Sequence, residues 1–268
     1  MDRIEELIKR VRQLRPIDDA MFKKLAESKA VCQEILRVIL NDKKLIVEEV
    51  ISEDSIANIF GRAVRLDALC TLGNGALRNI EIQKENVNDD VRRVRYNASS
   101  IVSRFSEKGQ KFSEIPDVIV VYISEYDVFR LGRTIYHIDS VIRETNTTVD
   151  DGLSRVFVNT QYADTDNTDV WKLMKCFLQK EIDNDKFPEL SDRLSYFKND
   201  GKGVDSMCDI IKDYAKEYAE ERAAEMLVNN IETLAKKIGT VEEACDMLNI
   251  TEQQYENAKA LLEKTLTV

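Results

Sequence analysis

Asp67, Glu81 and Gln83 are the residues of this chain whose types and spacing could act on an electrophile. They lie in Arg65-Leu-Asp-Ala-Leu-Cys-Thr-Leu-Gly-Asn-Gly-Ala-Leu-Arg-Asn-Ile-Glu-Ile-Gln83, two β-runs joined by Gly73-Asn74-Gly75, a strong hairpin signal. Asp67 alternates with Leu66 and Ala68; Glu81 and Gln83 alternate with Ile80 and Ile82, so each acidic group shares a face with residues two away. Register decides whether the faces meet. A three-residue loop with Gly in the left-handed position sets Asp67 opposite Glu81, with Cβ atoms roughly 4.5–5.5 Å apart. A two-residue Asn-Gly turn sets Asp67 opposite Ile82 instead. Two carboxylates that close repel unless a cation lies between them. A hard divalent cation such as Mg²⁺ prefers oxygen ligands, and the backbone carbonyl of Ile82 could add one. On the residues alone, ion pairs with Arg65, Arg78 or Arg95 satisfy the same carboxylates.

Several elements must position this hairpin. Ile4, Leu7, Ile8, Val11 and Leu14 have helical spacing and Pro16 ends that helix. Asp18 or Asp19 can cap the next helix, which holds Met21, Phe22 and Leu25. A helix over residues 29–40 carries Glu34, which reads first as a solvated charge. Residues 45–51 read as an edge strand and 54–60 as a connector. After Gln83, Asn88 or Asp89 can cap a helix over 91–109. On it Arg92, Tyr96, Ser99 and Ser103 share a stripe, with Arg95 four residues before Ser99. That stripe suits phosphates, because arginine forks match phosphate oxygens, and equally suits pairing with acids.

Residues 117–124 form an apolar run that predicts a strand buried on both faces. Residues 134–139, with the single histidine His137 in a structural role, and 156–160 predict further strands. Asp150 and Asp151 mark a turn. A helix is expected over 168–180, a loop around Tyr196, Phe197 and 199–203, and a charged, exposed helix over 204–227. The tail reads as three short helices: 231–238 closed by Gly239, one capped by Thr240 with Glu243, and one from Glu252. Their arrangement resembles a helix-turn-helix, yet Glu252 and Glu256 would repel phosphates. A packing or oligomerisation module fits better.

With 268 residues, 43% hydrophobic and 33% charged, the chain can bury a real core. No apolar run approaches the ~20 residues needed to cross a membrane, and the charged N-terminus lacks the apolar centre of a signal peptide. Five scattered cysteines show no Cys-x-x-Cys pair, which points to a reducing, cytoplasmic setting without structural zinc. The formal net charge of −10 argues against a surface that is attracted to nucleic acid as a whole.

Four segments carry a family resemblance: Leu14-Arg-Pro-Ile-Asp-Asp-Ala-Met-Phe-Lys23, Arg65-Leu-Asp67, Asn79-Ile-Glu-Ile-Gln83, and Arg92-Arg-Val-Arg-Tyr96 followed by Ser99. In this order they resemble the PD-(D/E)XK nuclease superfamily, in its branch of family transposases or Rpn recombination-promoting nucleases, over about residues 14–200. The resemblance implies an α/β, restriction-endonuclease-like mixed central sheet flanked by helices, placed over 1–200, and the residues beyond it read as an all-helical C-terminal extension over 201–268. It implies a metal-dependent DNA endonuclease of transposase or recombination type, with Asp67, Glu81 and Gln83 catalytic. Mg²⁺ or Mn²⁺ would be held by Asp67, Glu81 and the Ile82 carbonyl, with Glu34 as an added acidic ligand. Arg92, Arg95, Tyr96 and Ser99 would contact DNA, and the C-terminal helices could join a homodimer. Gln83 stands where the wider superfamily has Lys, although this branch commonly shows Gln. An amide can hydrogen-bond but cannot carry the charge or serve as a base. Deprotonation would then fall on the metal's water, the phosphate, or a neighbour such as Lys84 or Glu34. The alternative is a catalytically weak or inactive nuclease fold that acts as an interaction module through its helical C-terminus.

Overall fold

Val118-Ile-Val-Val-Tyr-Ile-Ser124 has no polar face, so both of its sides must be covered. In the computed structural model, which describes residues 3–56, 64–86, 88–161 and 167–265, this run is strand β4 (Val118–Ser124) inside a six-stranded mixed sheet. The other strands are β1 (Val47–Ile56), β2 (Val64–Leu72), β3 (Leu77–Gln83), β5 (Ile135–Ile138) and β8 (Leu153–Asn159), in the order β1-β2-β3-β4-β8-β5. Strands β2 and β3 are antiparallel, β3, β4 and β8 run parallel, and β5 returns antiparallel on β8. A separate ribbon pairs β6 (Ser140–Ile142) with β7 (Thr147–Val149). Asp150 and Asp151 turn the chain after it, accepting the N–H groups of Gly152 and Leu153.

Helices cover the sheet. In the N-terminal part these are α1 (Arg3–Gln13), α2 (Asp19–Ala26) and α3 (Lys29–Ile39). Helix α4 (Asp90–Arg104) makes the crossover between the parallel strands β3 and β4. Helices α5 (Asp169–Phe177) and α6 (Pro188–Asn199) follow, packed with α3. The buried Cys32 thiol of α3 meets that of Cys70 on β2, so α3 lies on the face formed by Leu66, Ala68 and Cys70. Tyr122 of β4 reaches α4 on the opposite face, where its hydroxyl donates to Asp90 Oδ1 at 2.6 Å. The architecture is therefore a mixed, restriction-endonuclease-like sheet between helices, followed by helices at the C-terminus.

The chain forms two compact units, the first comprising Met1–Ile56 and Arg65–Cys208 and the second taking in Asp209–Val268. The boundary falls inside helix α7 (Gly201–Ile238). In the second unit Ala224, Val228 and Ile231 of α7 pack on Ala244 and Cys245 of α8 (Val241–Met247) and on Tyr255 and Ala258 of α9 (Glu252–Thr265). Gln253 and Gln254 are exposed and bond locally to Asn257 and Thr251.

Several expectations need correction. Tyr196 and Phe197 lie in helix α6 rather than a loop, because Pro188 at its first turn has φ preset for a helix. Only Asp200 separates α6 from α7. Residues 204–238 are one helix rather than two, since Ala224, Val228 and Ile231 serve a single core. Residues 54–56 continue β1, and the remainder of that expected connector, 57–60, lies outside the described residues. Helix α4 stops at Arg104, five residues short of Gly109. Neither Asp18 nor Asp89 caps through its side chain.

Gly203 explains the tight α6–α7 corner. A Cβ there would collide with the backbone of Tyr196 and Phe197, whereas one at Gly201 would meet open space. Gly203→Ala should therefore lower stability by about 2–3 kcal/mol, and Gly201→Ala should be neutral or stabilise by up to about 1 kcal/mol. Urea denaturation of the two variants checks this order.

Candidate active site

Gly73-Asn74-Gly75 forms the three-residue loop. Leu72 N–H donates to Ala76 O at 2.9 Å, Gly75 N–H to Leu72 O at 2.8 Å, and Ala76 N–H to Asn74 Oδ1 at 3.1 Å. Gly75 takes φ of 81°, which a side chain would strain. The ladder pairs Thr71 with Leu77, Cys70 with Arg78, Leu69 with Asn79 and Ala68 with Ile80, so Asp67 follows opposite Glu81.

At that end the ladder gives way to side chains. Asp67 Oδ2 accepts the Ile82 N–H at 2.9 Å. A strand residue directs its N–H and C=O to the same neighbour, so the Ile82 carbonyl also faces β2. Glu81 is only 6% exposed and its Oε1 accepts from Asn79 Nδ2 at 2.5 Å. Burial pushes the Glu81 carboxyl well above the usual carboxylate range and the charge of Asp67 adds to this; Asn79, Arg93 and the Asp67 backbone oppose it. Asn79 is fully buried, and its Oδ1 has no hydrogen-bond donor among the described residues.

Gln83 is held at both ends. Its Oε1 accepts from Arg93 Nη1 at 2.8 Å and its Nε2 donates to Glu85 O at 2.8 Å. Arg93 also lies 3.6 Å from Asp89. The opening motif reaches the same end of β3. Lys84 Nζ donates to Asp18 Oδ1 at 2.8 Å, and Arg15 bonds both Asp18 and Glu125. Asp19, the first residue of α2, is exposed. Partial desolvation raises its pKa, with repulsion from Asp18 in support.

Other anticipated residues lie elsewhere. Glu34 accepts the N–H groups of Glu189 and Leu190 at 3.2 and 2.9 Å, so both of its oxygens cap α6. Arg92, Arg95 and Ser99 are exposed, Tyr96 is half-buried, and Ser99 Oγ donates back to Arg95 O. The buried side of α4 is Asp90, Val94, Asn97, Ala98 and Ile101, which sets those residues away from it. Arg78 donates to the carbonyls of Leu77 and Asp117 at the hairpin's other end. His137 is exposed on the edge strand β5, with β4 and β8 between it and β3.

Asn79 and Arg93 escaped the reading of the sequence. Asn79 had a signal, since it lies two residues before Glu81 on the same strand face. Arg93 had none without the phase of α4, because Arg92, Arg93 and Arg95 look alike in the sequence.

No group of three or more His, Cys, Asp or Glu suited to a metal exists among the described residues. Two carboxylates nonetheless fit Mg²⁺, which keeps several waters and takes one or two carboxylates. The crowded acid pair and the donorless Asn79 Oδ1 both favour a cation. Because the folded pKa of Glu81 is raised, its contribution to stability is present in acid and lost as pH rises through that pKa. Glu81→Gln should thus stabilise the metal-free protein at neutral pH by at least about 1 kcal/mol, with the difference vanishing in acid below the unfolded carboxyl pKa. Thermal melts in EDTA across pH measure it; a destabilised variant at neutral pH contradicts it.

Neither a curated protein nor a solved structure matches the chain. The family model of the PD-(D/E)XK nuclease family transposases matches residues 16–186, which include the opening motif from Pro16 onward, the hairpin and α4. With that match spanning more than half of its length, the chain belongs to the PD-(D/E)XK nuclease family transposases.

Proposed function

We propose that the chain is a metal-dependent DNA endonuclease in which Asp67 and Glu81 hold Mg²⁺ or Mn²⁺. The buried Glu81 beside the half-buried Asp67 carries this reading, because an acid pair at that spacing costs stability unless a cation between the two offsets the repulsion. When bound, the cation supplies polarisation of the scissile phosphate and makes the attacking water more acidic. Ile82 N–H fixes Asp67 and the Asn79 amide fixes Glu81, which orients both carboxylates. The Ile82 carbonyl and Asn79 Oδ1 offer further oxygens on that side.

Gln83 cannot provide the charge of a lysine, but Arg93 brings a guanidinium to its carbonyl. Arg93 would offset charge developing on the phosphate, with Gln83 positioning it. Lys84 is committed to Asp18 and Glu34 to α6, so the water's proton passes to the phosphate or to solvent. Arg92, Arg95, Tyr96 and Ser99, on the outer side of α4, would contact the DNA backbone. The exposed Met226, Met247 and Leu248 support a homodimer joined through the C-terminal helices. None of the five cysteines forms a disulfide, which supports a cytoplasmic setting; no helix among the described residues is long and apolar enough to cross a membrane.

Plasmid nicking with Mg²⁺ or Mn²⁺ tests the reading. Asp67→Asn should lower the rate by about a hundredfold or more, and Arg93→Ala by about tenfold or more, with circular dichroism unchanged. Full activity in Asp67→Asn rejects the site. A wild-type chain inert with either metal favours an interaction module instead.

A further inference from the structure

A cavity of about 260 Å³ opens where the segment after β3, the first turn of α4 and the segment after β4 meet. Arg92 enters its wall from α4 and Arg130 from the segment after β4, alongside Asn86 and Asn88. Two acids also line it, and both have partners, although hydroxyl donors leave the charge of Asp90 in place. Asp90 Oδ1 accepts the hydroxyls of Tyr122 and Tyr126 at 2.6 and 2.5 Å, and Asp89 lies against Arg93. Neither the Arg92 nor the Arg130 guanidinium has an ion-pair partner among the described residues, in a chain of net charge −10. Asp127 holds the Arg130 segment in place by accepting the N–H groups of Phe129, Arg130 and Gly132. The cavity therefore presents two guanidinium groups that have no ion-pair partner among the described residues, together with two amides, a set of donors that suits an anion with hydrogen-bonding atoms.

Size narrows the ligand. At roughly 30 Å³ per water the space equals about nine waters, enough for a phosphate and its sugar but far too small for a duplex. Charge narrows it further. An internal phosphodiester carries one negative charge, whereas a terminal phosphomonoester carries about −1.5 to −2 at neutral pH and matches two arginine forks. Arg93, against Asp89 on one side and Gln83 on the other, places the cavity beside the proposed catalytic cluster.

We propose that this cavity binds the phosphorylated terminal nucleotide of an unpaired DNA strand, with Arg92 and Arg130 on the phosphate. The active site would then act close to strand ends. The choice of DNA as the polymer rests on the nuclease reading; the anion pocket itself does not.

Fluorescence anisotropy of the full chain in EDTA tests this with one short single-stranded oligonucleotide bearing a 5′-phosphate, a 3′-phosphate or neither. One phosphorylated form should bind about tenfold tighter than the unphosphorylated strand. Arg92→Ala and Arg130→Ala should each remove that preference, while Lys108→Ala, on the exposed turn after α4, should keep it. Equal affinity for all three strands, or a preference that survives in the double arginine variant, overturns the proposal. The two readings fail separately. Asp67→Asn should retain the end preference, so absent nicking with the preference intact rejects only the nuclease, and nicking without the preference rejects only the pocket.

Discussion

A buried acid, Glu81, held beside the half-buried Asp67 of the neighbouring strand is the constraint around which this unit is arranged. Ionising both carboxyls about 5 Å apart in a medium of effective dielectric about 20 would cost roughly 3 kcal/mol in repulsion. Domains are stable by only about 5–15 kcal/mol, so a penalty of that order is a sizeable fraction. The fold sustains it through geometry. Asp67 and Glu81 face each other because the loop has three residues and Gly75 accepts a left-handed backbone. Each carboxylate is then pinned by a local donor, Ile82 N–H or the Asn79 amide.

The surrounding sheet keeps that geometry rigid. Strand β3 is flanked on one side by β2 and on the other by β4, so it cannot slip without breaking two ladders. Helix α3 covers the apolar face of the hairpin and α4 the acidic one. Helix α4 is tied down by Asp90, which takes the hydroxyls of both Tyr122 and Tyr126. Burial raises the pKa of both tyrosines, with the Asp90 carboxylate adding to it, so they remain protonated donors. The same helix delivers Arg93 to Gln83. One crossover thereby covers the site and supplies a guanidinium to it.

Much of this was legible in the residues. Alternation in the hairpin, Gly73-Asn74-Gly75 and the apolar run of β4 are local signals, and each produced the element it indicates. What stayed hidden depended on distant partners. Glu34 looked like a free helix charge or an extra ligand, but its role is set by the N-terminus of α6, far away in sequence. Arg93 could not be separated from Arg92 and Arg95 until the buried side of α4 was known. Gly203 read as a loop signal, while its task is close helix approach. The continuous α7 follows from a core shared with α8 and α9, which periodicity in one segment does not reveal.

Anomalous diffraction from crystals of the full chain soaked in Mn²⁺ tests the central claim most directly. The account predicts an anomalous peak within bonding distance of both Asp67 and Glu81, lost in Glu81→Gln. A chain that takes up Mn²⁺ elsewhere only, or leaves the paired carboxylates without a peak at saturating Mn²⁺, contradicts it.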